Sequence, residues 1–303
     1  RFIQALHPEA LFLIKYEFWP NLLNELQKQK VPVFSVASIF RKKQLFFKPW
    51  GFYMRNVLKK IEFFFVQNAT SQELLASVGI QNVLVIRDTR TDRVLDILTQ
   101  DNTNETIANF IQNQTCLVIG SSWPEDIEIL SKTIDSKSNL KTIIAPHNVD
   151  EESLRMVEVS FNKTVVRWSD LSQQKKDNAD ILLIDCIGIL TKIYSYANIA
   201  YVGGGMGTKG LHNTLEPAVF GTPILVGKNF TRFQEAQDLV TLGGIVSVNS
   251  SVSFESEFSK IVADKKLQKE MGLTNLNYIK KQAGATSKVL LKLKEVFKEL
   301  EIV

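Results

Sequence analysis

Between Ile199 and Gly227 the chain reads IAYVGGGMGTKGLHNTLEPAVFGTPILVG. Five glycines fall within the eight positions Gly203 to Gly210, after an apolar run at Ile199 to Val202 and before a segment of helical character that opens at His212 and Asn213. Glycine admits positive φ and a close approach of backbone to ligand, and a helix start offers unpaired N–H groups and the positive end of its dipole. The chemistry this pattern suits is the binding of a phosphate-bearing ligand. Gly205, Gly207 and Gly210 also fit G-x-G-x-x-G, yet the dinucleotide reading fits poorly, because the next strand ends at Gly227-Lys228 with no acid placed for a ribose. Glycines needed only for a tight turn are the plain alternative. Glu216, one turn into a helix that would receive an anion, is explained if its carboxylate accepts from a ribose or sugar hydroxyl.

Other polar groups stand at the ends of apolar runs. Glu17 follows the strand-like Leu11–Lys15, at the carboxyl end where α/β proteins bind ligands; its plain role is a cap on the helix that starts near Pro20. Arg90 lies in the crowded stretch Arg87 to Arg93 beyond a strand at Val83–Ile86, where its planar fork could hold a phosphate or developing charge, or simply join a surface ion-pair cluster. Strands at Cys116–Ile119, Thr142–Ala145 and Ile181–Ile184 end in Gly120-Ser121-Ser122-Trp123, Pro146-His147-Asn148 and Asp185-Cys186-Ile187-Gly188-Ile189. A nucleotide lying across these ends and the glycine turn is the natural inference. Three scattered histidines and two unpaired cysteines give no metal-ligand spacing, and neither a G-x-S-x-G elbow nor a Walker sequence is present.

The elements that must position these groups alternate strand and helix along 303 residues, enough for two domains. Hydrophobic residues at 45% and charged residues at 22% describe a globular chain, and a net charge of +4 suits an anionic ligand or membrane surface without demanding nucleic acid. Cys116 and Cys186 read as reduced core residues, pointing to the cytoplasm. The polar stretch Asp101 to Glu105 is the expected boundary, giving domains 1–104 and 105–303. The sequence starts at Arg1 and soon enters a strand-helix unit, so the first domain is expected to be incomplete. No run of 18 apolar residues suggests a transmembrane helix. From Arg41 to Lys60, seven basic residues and no acid interleave with Phe46, Phe47, Trp50, Phe52 and Tyr53. That composition suits the interface of an anionic bilayer; the alternatives are a helix whose rings enter the core, or stacking on single-stranded RNA.

The blocks Tyr16-Glu17-Phe18-Trp19-Pro20-Asn21, Asp88-Thr89-Arg90-Thr91-Asp92, Gly120-Ser121-Ser122-Trp123-Pro124, Asp185 to Leu190, and Gly203 to Pro217 with Asn229-Phe230 resemble bacterial 3-deoxy-D-manno-octulosonic acid (Kdo) transferases, in the same order. The resemblance implies an α/β protein of the GT-B class, two Rossmann-like domains with parallel sheets facing a cleft. It implies an inverting, metal-independent glycosyltransferase that moves Kdo from CMP-Kdo, its donor substrate rather than a cofactor, to a lipid A precursor at the cytoplasmic face of the inner membrane, with no nucleic-acid partner. The nucleotide-contacting set would be Ser121, Pro146, His147, Ile187, Gly188, Ile189, Gly204, Gly205, His212, Asn213, Thr214, Leu215 and Glu216, with Glu17 and Arg90 stabilising the transition state. Departures are Pro146-His147-Asn148 for the family's Pro-Arg-His, Ile187-Gly188-Ile189 for Met-Gly-Glu, and Arg90 where lysine is usual; the family's general-base glutamate would lie upstream of Arg1. Another GT-B sugar-nucleotide transferase or epimerase, or a nucleotide-binding fragment lacking the base, are the rival readings.

Overall fold

The computed structural model describes residues 1–171 and 179–300. Two compact units emerge, one of Arg1–Arg93 joined by the chain from Gln282 onward, the other of Val94–Lys281. The division therefore falls before the polar stretch at Asp101, and the C-terminal helix does not belong to the second domain as expected. The reason is the apolar pattern. Val94 and Ile97 enter the second unit's core, whereas Ala285, Val289, Leu293 and Val296 of the helix Ala285–Glu299 pack with Phe34, Val36, Phe65 and Ile86 of the first.

In the first unit, strands β1 (Leu11–Ile14), β2 (Val33–Ser38), β3 (Phe63–Val66) and β4 (Val83–Val85) form a parallel sheet in the order β1-β2-β3-β4. The helices Pro20–Lys28, Phe52–Leu58 and Ala69–Ala76 contribute Leu23, Leu26, Val57, Leu58 and Leu75 to the core on one face. Pro20 starts its helix at a position where a missing N–H is harmless, and Asn68 caps the third by accepting from Ser71 N at 2.8 Å.

In the second unit, β5 (Thr115–Ser122), β6 (Leu140–Pro146), β7 (Val165–Arg167), β8 (Ile181–Leu183), β9 (Ile199–Val202), β10 (Ile224–Gly227) and β11 (Ile245–Val248) form a parallel sheet in the order β11-β10-β9-β5-β6-β8-β7. Their residues are buried on both faces, as parallel strands covered by helices require. The chain runs outward from β5 through β6, then returns to the other side of β5 with β9. The order thus reverses between β5 and β9, and the crevice beyond their carboxyl ends is the topological switch point of an open α/β sheet.

Candidate functional site

The glycine turn leaves β9 at that switch point, and its glycines answer first to packing. A Cβ on Gly203 would lie 2.4 Å from Ser121 O, and one on Gly227 would lie 2.2 Å from Gly205 C, so the turn crosses the ends of β5 and β10 at backbone contact. Gly204 and Gly210 have φ of +87° and +105°, values that other residues adopt only with strain. Asn229 fastens the turn from β10, its N–H donating to Gly205 O at 2.8 Å and its Nδ2 to Gly207 O at 2.8 Å.

Sequence reasoning missed the group beneath the turn. Asp126, in the first turn of the helix Pro124–Ser136, is fully buried. Its carboxylate accepts from Gly204 N at 2.8 Å, Trp123 N at 2.9 Å and the Tyr201 hydroxyl at 2.8 Å, and also from Met206 N. Burial still raises its pKa, against the pull of those donors, and the fully buried Tyr201 hydroxyl is pushed above its usual range by burial and by Asp126. The Gly204 N–H, expected to face a phosphate, is therefore engaged by the protein's own carboxylate.

A second correction concerns the helix start. The helix Leu215–Val219 has only five residues, and Leu215 N donates to Asn213 Oδ1 at 3.2 Å. A dipole summed over one turn, with its leading amide already capped, offers an anion little. Glu216 is half-buried, and its two carboxylate oxygens accept from Asn213 Nδ2 at 3.0 Å and Thr191 Oγ1 at 3.3 Å. A carboxylate has about four lone-pair sites, which leaves room for ligand hydroxyls.

Beside the turn, three rings pack together. His147, just past β6, lies with its centroid 4.5 Å from that of Trp123 and 4.6 Å from that of His212, and Lys209 Nζ sits 5.2 Å over the Trp123 ring. Pro146 ends β6, and Ser121 at the end of β5 has φ of +53°, where the register with β6 shifts. Strain of this kind costs about 1–3 kcal/mol and concentrates at ligand sites. Ser122 Oγ and Thr214 Oγ1 are buried without a hydrogen-bond partner among the described residues. Thus Ser121, Pro146, His147, Gly204, Gly205 and His212 to Glu216 share the carboxyl ends of adjacent strands. Ile187, Gly188 and Ile189 follow β8, which lies next to β6; Ile187 is 87% exposed, and Gly188 has φ of +102°. Hollows of about 420 and 310 Å³ open at the amino ends of β5 and β6, away from every one of these residues. Among the described residues no group of three or more His, Cys, Asp or Glu could hold a metal ion.

Residues 1–93 match the family described as 3-deoxy-D-manno-octulosonic-acid transferase (kdotransferase). The chain is 24% identical over 312 residues to a 3-deoxy-D-manno-octulosonic acid transferase of Haemophilus influenzae, covering 96% of this chain and 70% of that one. The chain is similar to the Kdo transferase family. A bifunctional glycosyltransferase/methyltransferase of Fusobacterium nucleatum is 28% identical over 229 residues, covering 73% of this chain and 35% of that protein. The chain therefore spans about a third of the one relative and 70% of the other. Its fold is similar to the C-terminal CMP-Kdo binding domain of WaaA from Acinetobacter baumannii, with a TM-score of 0.50, 20% identity and 63% and 97% of the two chains covered. It is also similar to UDP-GlcNAc 2-epimerase from Neisseria meningitidis, with a TM-score of 0.62, 15% identity and coverage of 96% and 78%. These are the two Rossmann-like units and parallel sheets of the GT-B class.

In the first unit, Glu17 is exposed after β1, and Trp19, not Glu17, is the N-cap of the helix Pro20–Lys28. The capping role is excluded. Arg90 follows β4 and gives Nε and Nη2 to Asp88 Oδ2 at 2.9 and 2.6 Å. Asp92 caps the C-terminal helix, accepting from Gly284 N and Thr286 N at 2.6 Å each. The charged stretch is thus partly the structural cluster of the plain reading. Because β1 and β4 are the two edges of their sheet, the strand ends that carry Glu17 and Arg90 are three strand spacings apart, roughly 14 Å. The segment Arg41 to Lys60 divides between its two expected roles. Phe46 and Phe47 pack on Phe18 and Phe40, while Trp50, Phe52 and Tyr53 are 70%, 65% and 53% exposed. Cys116 is wholly buried and its thiol is pushed up to about 12; Cys186 is only half-buried and lies beside the core rather than within it.

Proposed function

We propose that this chain transfers Kdo from CMP-Kdo to a hydroxyl of a lipid A precursor, with inversion and without a metal, and that the second unit binds the donor. The observation that carries the reading is Glu216: a half-buried carboxylate at the switch point, oriented by Asn213 and Thr191, with lone pairs left to accept from ribose hydroxyls. The buried hydroxyls of Ser122 and Thr214 add unfilled hydrogen-bonding capacity in the same place, which a buried polar group keeps only at a cost unless something pairs with it. The acceptor hydroxyl, losing its proton to a general base, attacks the anomeric carbon from the face opposite CMP, and negative charge grows on the departing phosphate. Glu216→Ala is expected to weaken CMP binding by about tenfold, the worth of a hydrogen bond to a charged group. Calorimetry giving the same affinity for both proteins would remove the ribose role.

The acceptor is lipid-linked, and the first unit carries the means to meet a membrane at the cytoplasmic face of the bacterial inner membrane. Trp50, Phe52 and Tyr53 are exposed beside Arg41, Lys42, Lys43 and Lys59, a mixture of rings and cations suited to anionic headgroups. No helix among the described residues is long and apolar enough to cross a bilayer. Co-sedimentation with phosphatidylglycerol vesicles should fall at least fivefold in a Trp50→Ser, Phe52→Ser double variant, about 1 kcal/mol or more for two interfacial rings; undiminished binding would move the contact elsewhere.

A further inference from the structure

Trp123 and His212 are 89 positions apart in sequence, yet Trp123 Nε1 lies 3.1 Å from His212 Nε2. An indole nitrogen can only donate. His212 Nε2 must therefore present its lone pair, and the proton of the neutral imidazole sits on Nδ1. The edge of the ring holding Nε2 and Cδ2 is closed off, by Trp123 and by Gly204, whose Cβ position would be 3.0 Å from His212 Cδ2. The Nδ1 edge faces the other way, and among the described residues no hydrogen bond engages it.

The surroundings oppose a second proton on this ring. An imidazolium would set its Nε2–H against the indole N–H. His147 lies against it, its ring tilted by 35° at a centroid distance of 4.6 Å, and Lys209 stands over Trp123 from the glycine turn. Of the carboxylates nearby, Asp126 on the helix Pro124–Ser136 is held by main-chain amides and Tyr201, Glu125 on the same helix lies against Gly207, and Glu216 takes Asn213 and Thr191. Burial first, and His147 second, hold the His212 pKa below its ordinary value.

We infer that Trp123 is a positioning residue that fixes His212 as a neutral donor through Nδ1, presented to an oxygen of the bound sugar nucleotide. The tautomer follows from donor chemistry alone; the ligand rests on the donor-binding reading given above. Trp123 owes its own position to Asp126, which accepts from its backbone N–H, so the buried carboxylate sets both the turn and the indole that selects the tautomer.

The test uses the whole chain with two readouts. In ligand-free protein, nitrogen-15 spectra of the imidazoles should show His212 protonated at Nδ1, titrating only below the ordinary 6.5. Trp123→Phe keeps a ring against His147 and removes the N–H; the Nε2-protonated form should then appear and the titration should move up. With CMP as the probe, the same variant should bind about tenfold more weakly, the scale of one hydrogen bond to a charged group. A wild-type His212 carrying its proton on Nε2, or a tautomer unchanged in Trp123→Phe, would overturn the positioning role. If the tautomer switches and CMP affinity holds while Glu216→Ala loses it, the nucleotide site stands and His212 is not its donor. If wild-type protein takes no CMP, the ligand half of the inference falls with the reading it rests on.

Discussion

Asp126→Ala is expected to destabilise the protein by about 3 kcal/mol or more, the largest stability effect of any single change at the site. The carboxylate is fully buried and accepts from the Trp123, Gly204 and Met206 amides and from the Tyr201 hydroxyl. Alanine removes every acceptor and leaves the four donors behind, with Tyr201 wholly shielded from water. A buried donor stranded in this way costs about 1–3 kcal/mol, and relaxation of the turn recovers part of the total. For a unit of this size each kcal/mol moves the midpoint by about 2–4 °C, so calorimetry should find Tm lower by about 6–12 °C. Asp126→Asn retains one oxygen and should fall between. A Tm within about 2 °C of wild type for the alanine variant would mean that the turn holds its shape without the carboxylate.

On the proposed transfer reading, in which Arg90 meets charge in the transition state, Arg90→Ala is expected to lower turnover by about 10²–10³, the usual effect of deleting one such preorganised group. Asp88 takes Nε and Nη2 of the guanidinium, which fixes the plane of the fork. Arg90→Lys keeps the charge and loses that planar contact, so its turnover should lie closer to wild type than that of the alanine variant. Transfer rates of the three proteins under saturating donor check the order. An alanine variant with unimpaired turnover would take Arg90 out of the transition state.

Much of this arrangement is legible in the sequence because parallel strands are short apolar runs whose carboxyl ends are marked by glycine and polar residues. Cys116 to Ile119, Thr142 to Ala145, Ile181 to Ile184 and Ile199 to Val202 all lie in or at the ends of strands of one sheet. What could not be read is pairing across distance. Asp126 looks like any acid in a first turn, and nothing local announces that Gly204 and Tyr201 meet it 78 and 75 positions later. The Trp123–His212 pair is hidden for the same reason. Residues of opposite fate also sit side by side: Phe46 and Phe47 turn inward while Trp50 and Phe52 stay in water, because Gly51 N–H and Arg55 fold the intervening loop back onto the backbone of Phe46, Lys48 and Pro49. The helix Ala285–Glu299, packed on the first unit by its apolar face, is also capped there by Asp92, almost two hundred residues earlier, a contact that no window of sequence contains.

The central claim, that the switch point between β5 and β9 receives the cytidine nucleotide of a Kdo donor, is tested most directly by thermal unfolding of this chain with CMP and, separately, with UDP. A ligand at a hundred times its Kd stabilises the state that binds it by about 2.7 kcal/mol. Tm is expected to rise with CMP concentration, to rise about half as far in Glu216→Ala at the same concentration, and to respond little to UDP. A rise with UDP and none with CMP would contradict it and give the site to a different sugar nucleotide.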